Sequence, residues 1–377
     1  MNMQKTFLPQ VSPWFGEEEI ANVVSTLKNN WITEGPMTKE FGDKLNKLMN
    51  VEYGVFAPNG TLALFLGLLA LEIGTGDEVL VPDCTFIGSA NSVLLTGAKP
   101  VFIEVNNYNY QIDVKKAKKL LTTRTKAIMP VHLYGMSANM NEVMEFAREN
   151  NLFVIEDAAQ GVGVNYNNKH VGTFGDVGCF SFFADKTIST GEGGYVVTNN
   201  ENIYKKLLLL RNQGRYNRGS FIHPAIGYNF RITDMQAAVG LAQLEKLQQI
   251  INRKFEIYSL YLKYLNEVPG LNFLKVEKGS NIVPFRFLIF VEDAEAAMKF
   301  LEEKGIQSRS FFYPMHKQPC FNFLDIHNGG SQDLSDNNFA NSVYGYEHGI
   351  CLPIYPTLAD DDVKFICDTI KEFLLNE

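Results

Sequence analysis

Apolar and polar positions alternate in blocks along the 377-residue chain. From residue 14 to 49 the pattern has helical period. It predicts a helix over 14–29, with Glu17, Glu18 and Glu19 favourably placed in its first turn, and a second from Met37 to Met49. Short apolar runs then predict strands at Tyr53–Ala57, Glu78–Val81, Pro100–Ile103, Thr125–Val131 and Leu152–Glu156. Between them, helical patterns fall at Leu62–Leu71, Thr85–Thr96, Val114–Leu121 and Met140–Glu149. Strands alternating with helices imply β-α-β units and a mostly parallel sheet. Beyond it, Met235–Tyr264 reads as a long helix with a break near Ile251. Strands at Pro284–Val291 and Ile306–Phe312 follow, with helices at Ala294–Lys304 and Asp360–Leu375. The polar segment Asn328–Asn338 reads as a surface loop. The expected organisation is an α/β chain with a large domain over residues 1–250 and a smaller C-terminal α/β domain over 251–377.

Ligands of parallel sheets sit beyond the carboxyl ends of the strands. Asn59, Asp83, His132 and Asp157 all fall at or just after such ends. The stretch from Leu152 to Val197 is the richest. One apolar run ends in Glu156-Asp157. A second, Val177–Phe183, carries Ser181 and leads to Lys186, then to Gly191, Gly193 and Gly194.

Composition narrows the classes. The chain is 46% hydrophobic and 20% charged, with a net charge of −8. No long basic run is present, which argues against nucleic acid as a partner. The five cysteines form no C-x-x-C pair, so neither a disulfide framework nor a metal site is expected. The first ten residues carry no signal-peptide apolar core, and Leu62–Ile73 is too short to span a bilayer. A cytoplasmic protein without a membrane partner is expected.

Asn59-Gly60-Thr61 opens a helix directly after a strand. Free amides there make an anion site, or Asn59 or Thr61 merely caps the helix. No P-loop or dinucleotide fingerprint is present. Lys186 beside apolar residues is either an amine nucleophile or a solvated loop lysine. Asp157 is either a carboxylate partner for a cation or an N-cap. An anion cradle, an amine and an acid on one rim together fit pyridoxal phosphate (PLP), which needs a phosphate site, a lysine and a ring-nitrogen partner.

The motif wording carries more. ITEGP, NGTLAL, GDEVLVPDCTFIGSANSVLLTGAKPVF, TKAIMPVHLYG, VIEDAAQ, FSFFADKTISTGEGG, GYNFRITDMQAAVGLAQL and LPIYPTL follow one another in order. In this the chain resembles the DegT/DnrJ/EryC1/StrS sugar aminotransferases, fold-type I PLP enzymes, over nearly its whole length. The resemblance implies that Lys186 is the lysine that bonds to PLP and later shuttles a proton. Asp157 would pair with the ring nitrogen, Gln160 would lie near the ring hydroxyl, and Phe86 would stack on the ring. Gly60, Thr61 and Ser181 would hold the phosphate. Asn229 would reach the phosphate of a neighbouring subunit, making a homodimer with active sites at the subunit interface. His316 would lie near the sugar. Lysine at 186, where some relatives carry histidine, implies transamination rather than dehydration.

The implied reaction moves an amino group from glutamate to a nucleotide-linked 4-keto-6-deoxy sugar. The basic segment holding Arg211, Arg215, Arg218 and His223 offers either a phosphate site or a solvated loop. A smaller phosphorylated ketone such as a triose phosphate stays open as substrate, as does a PLP- or sugar-binding regulator without turnover. Ala184-Asp185 before Lys186, and Asp83-Cys84, depart from the usual wording close to the expected cofactor.

Overall fold

The computed structural model describes residues 7–376 apart from 218 and 220. Nine strands form in the first two hundred residues. They are β1 (Tyr53–Ala57), β2 (Glu78–Pro82), β3 (Lys99–Ile103), β4 (Thr125–Ile128), β5 (Phe153–Asp157), β6 (Asn165–Tyr166), β7 (Lys169–His170), β8 (Val177–Ser181) and β9 (Gly194–Thr198). Seven of them make one sheet in the order β1-β9-β8-β5-β4-β2-β3, while β6 and β7 pair as a separate hairpin. Only β9 runs against its neighbours, pairing antiparallel with both β1 and β8. The expected α/β architecture with a mostly parallel sheet is present.

Helix Gly60–Ala70 is apolar on every side because it is covered on every side. It lies so close to β8 that a Cβ at Gly67 would stand 2.9 Å from Val177 Cγ1. Glycine is what lets the helix and the sheet approach. Edge strand β3 is closed by a side chain: the Gln332 amide accepts from Phe102 N at 2.9 Å and donates to Phe102 O at 2.6 Å. An edge is thereby paired without another strand. Gln332 is buried, so the expected surface loop is partly a lid on the sheet.

The second sheet contains β10 (Asn272–Phe273), β11 (Phe287–Phe290), β12 (Arg309–Ser310) and β13 (Gly349–Leu352), ordered β10-β11-β13-β12 and wholly antiparallel. Its core gathers Phe287, Ile289, Ile350 and Leu352 with Ile257, Tyr261, Val363 and Ile366. Leu8 joins the same core and pairs with Ile306, so the chain's beginning packs with its end. The expected boundary at 250/251 falls inside one helix, Leu247–Leu265; the break lies at Lys246 instead of near Ile251. Helices Glu201–Arg211 and Ala340–His348 and strand β13 were not expected from the pattern. β13 is a four-residue run directly after a helix, with no turn residue other than Gly349 to announce it. Among the described residues no helix is long and apolar enough to cross a membrane.

Candidate active site

Gly60, Thr61, Phe86, Asp157, Gln160, Ser181 and Lys186 line one cavity of about 780 Å³. It opens at the carboxyl ends of β1, β5 and β8. Backbone pairing fixes these ends. Asp157 N donates to Pro130 O at 2.9 Å, and Asp157 O accepts from His132 N at 2.9 Å. Ala158 N donates to Cys179 O at 2.8 Å, which ties the acid's strand to β8.

Lys186 stands in the connection between β8 and β9, at the end of a turn in which its amide donates to Phe183 O at 2.9 Å; Gly191, later in the same connection, has φ +80°. The amine is largely buried. Nζ lies 3.2 Å from Asp185 Oδ1 and 4.7 Å from the Phe285 ring centroid. Burial lowers the amine's affinity for a proton, Arg286 lowers it further, and Asp185 and Asp157 work the other way; the net direction is down. A lysine so placed gives up its proton more easily than a solvated one.

Asp157 is buried and turned into the cavity floor. Oδ2 accepts from Ser89 Oγ at 2.7 Å and Oδ1 from Ala159 N at 3.1 Å. Burial nonetheless pushes its carboxyl above the usual range. A cation at the cavity face would offset that desolvation. The neighbouring acid has a different role. Glu156 is fully buried and accepts from the amides of Gly172, Phe174 and Gly175 at 2.6–2.7 Å. It also meets His132 Nε2 at 2.9 Å. Ala138 N donates to His132 Nδ1, so Nε2 carries the ring proton toward Glu156. Of the acidic pair, one member serves the cavity and the other ties down the loop after the β6–β7 hairpin.

The cradle is built on close approach. Gly60 and Thr61 are the first residues of their helix, so their amides have no intrahelical acceptor. Asn59 caps the helix through Leu62 N at 3.0 Å, leaving those two amides to the cavity. A Cβ at Gly60 would sit 2.8 Å from Ser181 Cβ. A Cβ at Gly88 would sit 2.7 Å from Thr61 Oγ1. Two hydroxyls and two amides therefore converge where only bare backbone fits. That donor set suits a phosphate, Lys186 suits an aldehyde, and Asp157 suits a protonated pyridine nitrogen; the residues fit PLP.

Gln160 lines the same cavity with one amide atom committed, since its Oε1 accepts from Tyr134 N at 2.6 Å. Phe86 is exposed at the mouth, edge-on to Phe312 at 6.5 Å between centroids.

Other expectations meet a different structure. His316 does not line the cavity. It is buried between two carboxylates, with Nδ1 2.8 Å from Asp83 and Nε2 3.0 Å from Asp336, and stacks on Phe339. Asp83 also accepts from His316 N, so this pair braces the strand end and the segment before helix Ala340–His348. His132 and Asp83, placed on the rim by the strand pattern, thus both point into structural pairs. Arg211 is buried too, bonded to Glu34 at 3.0 Å and to the carbonyls of Phe56 and Phe230. Arg215 lies in the following loop, away from the cavity lining, and Arg218 lies outside the described residues. Asn229 is exposed and accepts from Arg231 Nε at 2.6 Å; it is not in this chain's own cavity.

The wall also holds residues the pattern did not single out: Ser89, Tyr134, Phe285, Arg286 and Arg309. Phe285, Arg286 and Arg309 come from the second sheet's side, more than ninety positions from Lys186, and no local motif marks them. Ser89 lies four residues after Thr85, a spacing that puts both on one face of the expected helix Thr85–Thr96, although the helix itself begins only at Gly88.

The DegT/DnrJ/EryC1/StrS aminotransferase family model matches residues 13–371. GDP-perosamine synthase of Escherichia coli O157:H7 is 39% identical over 374 residues, covering 97% of this chain and 98% of that protein. UDP-N-acetyl-3-dehydro-alpha-D-glucosamine 3-aminotransferase of Acidithiobacillus ferrooxidans is 36% identical over 330 residues, covering 87% and 86%. The PLP-form structure of Spr1654 from Streptococcus pneumoniae superposes with a TM-score of 0.90 at 26% identity, covering 98% and 99%. With a family model spanning nearly its whole length and a cavity whose donors suit the cofactor, the chain belongs to the DegT/DnrJ/EryC1/StrS aminotransferase family and is a PLP-dependent aminotransferase.

Proposed function

We propose that the chain moves an amino group from glutamate to the keto carbon of a nucleotide-linked 4-keto-6-deoxy sugar, in amino-sugar or surface-polysaccharide synthesis. The observation that carries this reading is Lys186 in one cavity with Asp157, Ser181, Gly60 and Thr61, in a chain 39% identical to one such synthase. Bound PLP supplies an aldehyde for the lysine and a ring that draws electrons from the reacting carbon.

The chain's residues supply the rest. The amides of Gly60 and Thr61 and the hydroxyls of Thr61 and Ser181 bind the phosphate. Asp157, held by Ser89, keeps a proton on the ring nitrogen. Gln160, its oxygen committed to Tyr134, would offer its NH₂ to the ring hydroxyl. Phe86 covers the ring at the mouth. Lys186 Nζ, once free, would hold and move the proton between the reacting carbons.

The active unit is a homodimer in the cytoplasm. Tyr216, Phe221 and Ile226 are each at least 80% exposed on the loop before Asn229, a surface suited to burial against a second copy. Asn229 from that copy would complete the phosphate site. Arg215, on the same loop, would bind the substrate's phosphates, a role also proposed for Arg218. His316 keeps an indirect role, bracing Asp83 beside the cavity. The large domain would end within helix Leu247–Leu265.

Arg309, exposed in the cavity wall, favours a second reading, a smaller phosphorylated ketone bound through its phosphate. One screen separates the two. Incubate PLP-loaded protein with glutamate and follow loss of the visible absorbance. Then offer GDP-, UDP- and dTDP-linked 4-keto sugars beside small phosphorylated ketones. Turnover of a nucleotide sugar alone supports the first reading. Turnover of the small ketones alone overturns it, and no change with glutamate, glutamine or other amino donors overturns amino transfer itself.

A further inference from the structure

Asp185 departs from the usual wording before the lysine, and the structure gives it a partner from across the molecule. Its Oδ2 accepts from Arg286 Nη2 at 2.7 Å, while its Oδ1 faces Lys186 Nζ at 3.2 Å. The second contact is an ion-pair approach without hydrogen-bond geometry. Arg286 precedes β11 of the second sheet and is buried. It is fixed on both sides: Nη1 donates to Phe285 O at 3.1 Å, and the guanidinium lies over the Phe285 ring at 4.1 Å. The same ring carries Lys186 Nζ at 4.7 Å. One carboxylate is thus shared by two buried cations that both lie against one aromatic ring.

We propose that Asp185 and Arg286 are a positioning pair for Lys186. The carboxylate holds the amine at the cavity edge, and the guanidinium, by taking the better half of that carboxylate, keeps the amine able to release its proton. This rests on Lys186 being the lysine that bonds to PLP. It adds two residues, from the two sheets, that set when the amine is neutral.

Other groups face Lys186. Asp157 stands at the end of β5, and Glu192, Arg309 and Tyr134 line the cavity. Lys254, buried on helix Leu247–Leu265, stands 6.0 Å from the Phe285 centroid. Its own proton affinity is pushed down to about 7, first by burial and then by Arg286. Asp157 opposes proton release from Lys186; Arg309 and Lys254 add positive charge on the side of Arg286. None of these shares the carboxylate contact of Asp185. The electrostatic direction for Lys186, with burial first, Asp185 raising and Arg286 lowering, agrees with the geometry.

The test is capture of added PLP by the full chain freed of cofactor, read from the visible absorbance of lysine-bound PLP across a pH series. Only the neutral amine attacks the aldehyde, so the midpoint of the rate reports Lys186. Asp185→Asn is expected to lower the midpoint by about one pH unit or more, the effect of deleting an opposite charge at this distance. Arg286→Gln is expected to raise it, and Arg286→Lys, which keeps the charge, to stay between Arg286→Gln and the parent. Opposite shifts from D185N and R286Q are not what a merely structural pair would give. Shifts of the same sign, no shift in either, or loss of capture by D185N at every pH would overturn the proposal. Failure of the parent protein to capture PLP would instead overturn the role of Lys186.

Discussion

Ser89 Oγ donates to Asp157 Oδ2 at 2.7 Å, and the Thr85 hydroxyl stands 2.9 Å behind Ser89. Ser89 has one proton and gives it to the acid, so Thr85 must donate to Ser89. A relay of two hydroxyls on helix Gly88–Leu95 and the turn before it thereby holds the carboxylate that lines the cavity and is proposed to meet the cofactor's ring nitrogen. Ser89→Ala removes a hydrogen bond to a charged group, worth about 1.5 kcal/mol. PLP is expected to dissociate about tenfold more readily. Absorbance titration of the variant checks this, and unchanged affinity would show that Asp157 needs no help from the relay.

Gly60→Ala addresses the cradle. The new methyl would stand 2.8 Å from Ser181 Cβ, so the helix must retreat from β8. Loss of PLP affinity is expected, with the far-ultraviolet circular dichroism kept. Ser181→Gly in the same chain removes the clash and is expected to restore thermal stability while leaving PLP binding weak. Full recovery of binding would show that the Ser181 hydroxyl is dispensable.

Glu156→Gln tests the second acid. Oε2 accepts from Gly172 N and from His132 Nε2, and an NH₂ there would face two donors. Leaving buried donors without an acceptor costs about 1–3 kcal/mol each. Urea unfolding is expected to show a midpoint well below that of the parent. A loss under 1 kcal/mol, roughly a surface substitution, would mean that the loop finds other acceptors.

His316 makes stability depend on pH. Burial works against its proton, but Asp83 and Asp336 outweigh it, and the folded imidazole is held above its ordinary value. The stabilisation is therefore complete below the unfolded value of about 6.5 and fades as pH rises through the folded one. Comparing His316→Gln with the parent, the difference in melting temperature is expected to be larger at acidic than at alkaline pH. An equal difference at both ends would mean that the ring is neutral between its two carboxylates.

What the sequence by itself determined was the local chemistry and the sheet. Alternating periods specify the β-α-β units, because a buried parallel strand needs an unbroken apolar run and its covering helix needs a 3.6-residue stripe. Asn59-Gly60-Thr61, Asp157, Ser181 and Lys186 were legible because strand ends are where parallel sheets present ligands. Only the tertiary structure decided which polar strand-end residues face the cavity. Asp157 does, while Glu156, Asp83 and His132 turn inward, since each finds a partner many residues away: three loop amides, His316 and Glu156 respectively. Partners like these leave no periodicity. The same holds for Arg286, whose bond to Asp185 spans 101 positions, from the β8–β9 connection to the residue before β11. A motif fixes a residue's place on its own element; which way its charge points is settled by what folds against it.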